Sequence, residues 1–385
     1  MRRGFSVLEL SISLAIAGIV VAAAASSGVV ITRILKLDGK KSTADSDSRR
    51  LVDFVLSNLQ SVGGGPVRPW MAIWHEQGDH DQGDGTEPSG GCLGRNGLPP
   101  CGTSDRITLI DVDPARGACS IVDVVDANTV RFARIDDDDD DDGVPAPCCY
   151  MWDGDPTDAT MPDQYANQPL MFVAGRNQWA LRIATNEEDP SDCSYGLKPD
   201  TVSHFSNWTT GPPAGNAPVP AISFVTTFGA GSDNTATPVR PRTLFVEKDP
   251  EPRSGPPSTR LPRLVEWFDG NANATVDDDE VRLVFPGVMN FQLALGFDSN
   301  PDNGRVVDSR TSTDEFVGNV ANDGAAGLSA VGLRMAQVGV ITGVRAVEPG
   351  ARTLQVLDGP SVTNSKLILR RALGKALLRN VAVSY

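Results

Sequence analysis

The chain predicts an α+β fold: one long N-terminal helix packed on an antiparallel β-rich domain that carries large loop-rich insertions. Three observations lead there. From Leu10 to Thr32 no residue is charged and none is proline, which gives an uninterrupted apolar helix of the length a bilayer requires, about 20 residues. From Ser42 to Val62 the pattern turns one-sided, with Leu51, Val55, Leu59 and Val62 in one i, i+3/i+4 row and Val52 and Leu56 beside it. Beyond that the chain is a series of short Val- and Ile-rich runs set among 38 glycines and 28 prolines, with aromatics at only 6%. That composition suits a loop-rich β domain rather than a helical bundle.

The chain has 385 residues, enough for a substantial core after a leader and an anchor are set aside. Its net charge of −15 argues against nucleic acid as a partner and favours cation binding or plain solvation. Six cysteines, Cys92, Cys101, Cys119, Cys148, Cys149 and Cys193, all follow the apolar stretch, which is consistent with an oxidising compartment such as the periplasm. Cys92 and Cys101 flank a Gly/Pro-rich loop and are candidates for a local pair. Adjacent Cys148 and Cys149 are expected to reach different partners, with Cys119 and Cys193 as candidates. No C-x-x-C occurs, which argues against zinc ribbons and thioredoxin chemistry.

The apolar stretch opens on a constellation of its own. Arg2 and Arg3 are followed by Gly4-Phe5, and one carboxylate, Glu9, stands four residues after Phe5 at the start of the apolar run. An ionisable group inside a span costs about 2.5 kcal/mol or more, so its presence marks a functional candidate. A secretory signal peptide also has a basic start and a small-residue exit, for which Val21 to Ser26 would serve, but signal cores are shorter and do not open with a glutamate. A plain anchor explains the length and leaves Gly4 and Glu9 without a reason. Basic leader, Gly4, Phe5 and Glu9 together resemble the type IV prepilin signal of pilins and pseudopilins. Many major pilins carry a proline in this helix; this chain has none there, as is common in minor subunits.

That resemblance implies cleavage after Gly4 by prepilin peptidase, methylation of the new N-terminus at Phe5, and a role for Glu9 in pairing with the amine of Phe5 during assembly. It also divides the chain: leader 1–4, transmembrane or filament-core helix 5–32, amphipathic half 33–62, a disulfide-containing β/loop elaboration 63–240, and a C-terminal β-rich pilin domain 241–385. Basic residues stand on both sides of the span, Arg33, Lys36, Lys40 and Lys41 on the far one, so charge counting does not set topology; the prepilin signal implies a cytoplasmic N-terminus. Asp38-Gly39 offers a break point in the helix, and Gly63-Gly64-Gly65-Pro66 its stop.

Residues 66–104 read as a surface loop. Strands are expected at Ile107 to Val112, Ser120 to Val125 and Thr129 to Ile135. Leu170 to Ala174 and Trp179 to Ala184 flank a turn, Gly175 to Gln178, and read as a hairpin. Further strands are expected at Ala221 to Phe228, Thr243 to Glu247, Leu264 to Phe268, Val281 to Phe285, Val288 to Phe297 and Val338 to Val347. Val284-Phe285-Pro286-Gly287-Val288, the run Phe291 to Asp298 and the basic closing segment Leu369 to Asn380 look like the PilW-like minor pilins, and more distantly the J-type pseudopilin of type II secretion.

One loop has metal-ligand spacing. In Asp269 to Glu280, oxygen side chains fall at positions 1, 3, 5 and 9 (Asp269, Asn271, Asn273, Asp277), the carbonyl of Thr275 at 7, and Glu280 at 12, as hard oxygens wrap Ca²⁺. Ala274 stands where such loops have glycine, and the flanks read as strands rather than helices, so an acidic hairpin loop is the competing account. A weaker run, Asp298, Asn300, Asp302 and Asp308, lacks the closing glutamate. The seven aspartates 136–142 read as a solvated, self-repelling block, with a diffuse cation site as the sharper alternative.

Catalysis finds little support. Of three histidines, His80 follows His75 at i+5 rather than the i+4 of zincins, and His204 stands apart. There is no G-x-S-x-G and no Walker loop. The expected function is therefore a non-enzymatic minor pilin that helps initiate a type IV pilus and caps or joins its tip. Implied partners are prepilin peptidase, other minor and major pilins or pseudopilins, a PilY-type tip adhesin and the inner membrane. The alternatives are a type II secretion minor pseudopilin and, from another class, a membrane-tethered calcium-dependent adhesin.

Overall fold

The apolar run and the amphipathic run form one uninterrupted helix, α1 (Val7–Ser61), about 82 Å long at 1.5 Å per residue. In this computed structural model the described residues are 7–63, 66–68, 72–76, 104–112, 118–126, 128–133, 168–174, 178–189, 193–199, 221–228, 234–248, 261–268, 279–297, 316–317, 333–345, 352–357, 361–364 and 367–378. The expected break at Asp38-Gly39 is not there. Gly39 stays helical: its carbonyl accepts from Thr43 Oγ1 at 3.0 Å, and Lys41 reaches back to Asp38 at 3.6 Å. Just past it Ala44 and Ser48 are buried against the β domain, and that packing outweighs the propensity of a single glycine.

The second half of α1 lies on a four-stranded antiparallel sheet ordered β12 (Phe316–Val317), β11 (Val288–Phe297), β13 (Leu333–Arg345), β16 (Leu367–Leu377). Its whole apolar row, Leu51, Val52, Val55, Leu56, Leu59 and Val62, is buried. Gly374 of β16 lets the helix approach, since a Cβ there would meet Val52 and Leu56, the latter at 2.7 Å. Polar contacts fix the register: Ser48 Oγ to Thr342 Oγ1 at 2.9 Å, Asp45 to Arg370 at 2.7 Å, and Gln60 Nε2 donating to the carbonyl of Leu377 at 3.3 Å. On the other face of this sheet a small hairpin, β14 (Arg352–Leu354) and β15 (Val362–Asn364), packs Leu354 and Val362 on Ile341, Leu367 and Leu369.

A long strand, β8 (Thr235–Lys248), belongs to two further sheets. Its second half is the centre of a five-stranded sheet, β1 (Ile73–Glu76), β2 (Arg106–Val112), β8, β9 (Pro262–Trp267) and β10 (Val281–Pro286). Its first half closes a six-stranded antiparallel ring with β3 (Cys119–Asp126), β4 (Thr129–Phe132), β7 (Ser194–Pro199), β6 (Gln178–Asp189) and β5 (Pro169–Ala174). The ring interior is filled by Phe132, Phe172, Tyr195 and Phe228, with ring centroids about 6 Å apart, 6.4 Å for Phe132–Phe172 and 5.9 Å for Phe172–Phe228. Strands β5 and β6 alternate: Leu170, Phe172, Ala180 and Ala184 face this interior, whereas Met171, Val173, Trp179, Leu181 and Ile183 join the larger core shared with α1.

Two expectations are corrected. Ala221–Phe228 is a helix, α2, not a strand. Its β-branched content suggests extension, but Val225 and Phe228 stand one helical turn apart and both pack into the ring interior, so tertiary burial decides. The proline-rich stretch around Thr243 is part of fourteen-residue β8. Pro238 falls in the gap between the pairing with β3, which ends at Ala236, and that with β2, which begins at Val239, and Pro241 precedes Thr243, where pairing with β9 begins. Each proline therefore sits where β8 lacks a partner on one side, as its missing N–H requires. Strand β8 also runs across residue 240, so the regions 63–240 and 241–385 share a strand.

Two glycines are required by backbone geometry. Gly63, with φ +76°, ends α1 and donates its N–H to the carbonyl of Ile110 at 3.2 Å. Gly287, with φ +72°, turns β10 into β11, and a Cβ on it would lie 2.7 Å from the carbonyl oxygen of Gly343. Both lie in the left-handed region that side chains disfavour.

Candidate membrane and assembly helix

The functional surface with the clearest physical signature is the first half of α1. Its most apolar 18-residue window has a mean hydropathy of 2.4, and none of it is buried. Leu8, Leu14, Ile19, Val21 and Leu35 are all more than half exposed. Among the described residues Leu37 is the first half-buried one and Ala44 the first fully buried one, so about 45 Å of helix stands clear of the β domain, about 35 Å of it the uncharged run Leu10 to Thr32. This is the one helix among the described residues long and apolar enough to cross a membrane.

Four of its hydroxyls back-bond within the helix. Ser11 donates to the carbonyl of Val7 at 2.8 Å, Ser26 and Ser27 to that of Ala23 at 2.9 Å, and Thr32 to that of Gly28 at 2.8 Å. Such back-bonding lets hydroxyls enter an apolar medium at little cost, whereas unpaired they would lose their water. Gly18 and Gly28 have no neighbour within 4 Å of a Cβ position, so neither is needed for packing within this chain. Gly4 and Phe5 lie outside the described residues. The backbone of Glu9 belongs to the first turns of α1; its side chain is not described.

Most of the calcium loop, Asp269, Asn271, Asn273, Thr275 and Asp277, lies outside the described residues, as do Asp298, Asn300, Asp302, Asp308 and the aspartates 136–142. The last two residues of the first loop, Asp279 and Glu280, and the strands on either side of it are described. The loop joins β9 to β10, which pair antiparallel with Val281 opposite Trp267, and the N–H of Phe268 donates to the carbonyl of Glu280 at 3.2 Å. The Oε2 of Glu280 accepts from the indole N–H of buried Trp267 at 3.2 Å, which holds that carboxylate at the loop's base. Among the described residues no group of three His, Cys, Asp or Glu side chains could hold a metal ion.

Cys119, at the start of β3, and Cys193, before β7 with φ +62°, are both disulfide-bonded. Cys92, Cys101, Cys148 and Cys149 lie outside the described residues. So do His80 and His204, while the backbone of His75 is in β1, opposite Ile107.

Sequence reasoning missed the ionic node that ties α1 to the five-stranded sheet. Arg242 on β8 grips Asp111 through Nε at 2.6 Å and NH2 at 3.3 Å, and its NH1 donates to Asn58 of α1 at 2.8 Å and to Glu266 of β9 at 3.0 Å. Arg282 holds the other oxygen of Glu266 at 2.7 Å. Burial by itself would lower the Arg242 pKa; the hydrogen bonds and charges of Asp111 and Glu266 outweigh it and raise the value. Arg106, mostly buried at the start of β2, is pushed down to about 10 by desolvation. No local pattern announces this node, because its members come from five separate elements.

No family profile, curated protein or solved structure matches this chain.

Proposed function

We propose that this protein is a minor pilin or pseudopilin, a non-enzymatic subunit that helps start a type IV filament in the inner membrane and sits at or near its tip. The observation that carries the reading is the unburied apolar half of α1, continuous with a half that lies on an antiparallel sheet. An exposed apolar helix of this length needs lipid or the apolar helices of neighbouring subunits around it. The sequence Gly4-Phe5 with Glu9 supports the second environment as well as the first. A carboxylate at the N-terminus of such a helix is stabilised in a bundle when a neighbour's terminal amine neutralises it. Prepilin peptidase, other pilins and a PilY-type tip adhesin are the partners this reading implies; a type II secretion pseudopilin would use the same helix in the same way.

Glu9→Ala tests the assembly role. The variant should insert into the membrane at least as well as wild type, because removing a charge lowers the transfer cost. Its recovery in sheared filaments, or in the complex with other subunits, should fall at least about tenfold, the loss of one charge pair in a low-dielectric setting. Incorporation at the wild-type level would overturn the role given to Glu9.

Calcium at Asp269 to Glu280 belongs to the same proposal. The antiparallel β9–β10 frame and the Trp267-anchored Glu280 support a loop that closes on a cation. Stabilisation by a bound ion grows as RT ln(1 + [L]/Kd), about 2.7 kcal/mol at a hundredfold excess. The full chain should melt higher in millimolar CaCl₂ than in EDTA, and Asp269→Ala with Glu280→Ala should abolish the difference. Replacing the aspartates 136–142 by serine should leave it intact. A calcium shift that survives the double substitution would place the ion elsewhere, with Asp298 to Asp308 next.

A further inference from the structure

Directly beyond the apolar run the sign of the surface changes. The whole chain carries −15, yet Arg33, Lys36, Lys40 and Lys41 follow Thr32 with Asp38 as the one acidic residue among them. The fold brings more basic residues to the same end. Helix α1 runs antiparallel to β13, since Lys40 Nζ donates to the carbonyl of Arg345 at 2.9 Å while Ser48 meets Thr342. It runs parallel to β16, since Asp45 meets Arg370 and Gln60 meets Leu377. The Arg345/Leu367 end of the sheet is therefore the end nearest the apolar half of the helix. Hairpin β14–β15, which starts at exposed Arg352, packs on Leu367 and Leu369 at that same end. Of the nearby carboxylates, Asp38 pairs with Lys41 at 3.6 Å and Asp45 with Arg370 at 2.7 Å.

We infer that this end of the β domain is a docking surface for anionic phospholipid headgroups, formed by Lys40, Lys41, Arg345 and Arg352 above the helix residues Arg33 and Lys36. The inference rests on the reading of residues 10–32 as a membrane span. Lys40 and Lys41 lie about 12–14 Å along the helix from Thr32. The headgroup layer takes up roughly half of that distance, and a lysine stem reaches back across most of the rest. The charges thus fall within one Debye length, about 8 Å, of the headgroup plane. The acidic bulk of the chain beyond that distance is screened. Each basic residue this close to an anionic surface multiplies docking by about fivefold. The docked state would hold the β domain upright on the membrane and fix the direction from which partner subunits reach α1.

Hydrogen exchange of the full chain in nanodiscs tests this, comparing phosphatidylcholine with the same lipid containing a third phosphatidylglycerol. At low salt, amides of 37–41 and of the hairpin 352–364 should exchange about tenfold more slowly in the anionic discs. The difference should vanish in 0.5 M NaCl and in a Lys40→Gln, Lys41→Gln, Arg345→Gln, Arg352→Gln variant. Equal exchange in both lipids, or slowing that persists in the variant, would overturn the proposal. So would slowing that depends on two copies per disc rather than on lipid charge, which would mark a contact between subunits. Failure of the span itself reads out separately, as residues 10–32 left unprotected in discs of either composition.

Discussion

Gly374→Leu is expected to detach α1 from its sheet. A Cβ at this position already lies within 2.7 Å of Leu56 and closer still to Val52, and both belong to the buried row that seats the helix. Overpacking of a filled core costs about 1–3 kcal/mol where neighbours can shift. Here the neighbours sit on a long rigid helix pinned by Ser48–Thr342, Asp45–Arg370 and Gln60–Leu377, so the cost falls at the upper end. Gly374→Ala should lose less than the leucine variant, and both should lower the denaturant midpoint of the full chain in detergent. Accelerated proteolysis after residue 36 would identify helix release as the cause. A leucine variant with the wild-type midpoint would contradict the packing described for β16.

Arg242→Met should be nearly as damaging, for a different reason. Methionine keeps much of the stem but leaves Asp111 without its bidentate partner and Asn58 without its donor. Exposed pairs contribute at most about 1 kcal/mol, whereas breaking buried ones costs about 3–5. Arg242 and Glu266 are largely buried and Asp111 is one-third exposed, which places the loss at about 2–3 kcal/mol. Glu266 keeps Arg282, so Arg242→Met with Glu266→Gln should cost less than the two singles added together. Strict additivity would mean that the node is not a coupled network.

The parts of this fold that were legible in the sequence are those written in local patterns. The two halves of α1 follow from an uncharged run and an i, i+3/i+4 row. The β5–β6 hairpin follows from Gly175 to Gln178 between apolar runs, and the β9–β10 pair from two apolar strands about an acidic loop. What failed locally was decided by distant contacts. Val225 and Phe228 are helical because the ring interior takes them on one face. Pro238 and Pro241 hide β8 because the change of sheet partner at that point has no sequence signal. Strand β16 carries Arg370, Arg371 and Lys375, which reads as a basic tail until β13 pairs along its whole length. The closed ring depends on β8 pairing with both β3 and β5, whose partners are far apart in the chain. Of the candidate sites, the helix-borne one was legible because length and charge alone define it. The Arg242 node was not, since it joins α1, β2, β8, β9 and β10.

The role proposed for Glu9 turns on whether a prepilin-type leader is removed after Gly4 to free the amine of Phe5. Intact mass and N-terminal peptide mass spectrometry of the protein from its native membrane test this most directly. The expected result is a mature chain that begins at N-methylated Phe5, and a full-length, unmethylated precursor when Gly4 is replaced by arginine. A mature terminus at Ser26, or an unprocessed Met1 in wild-type cells, would contradict it.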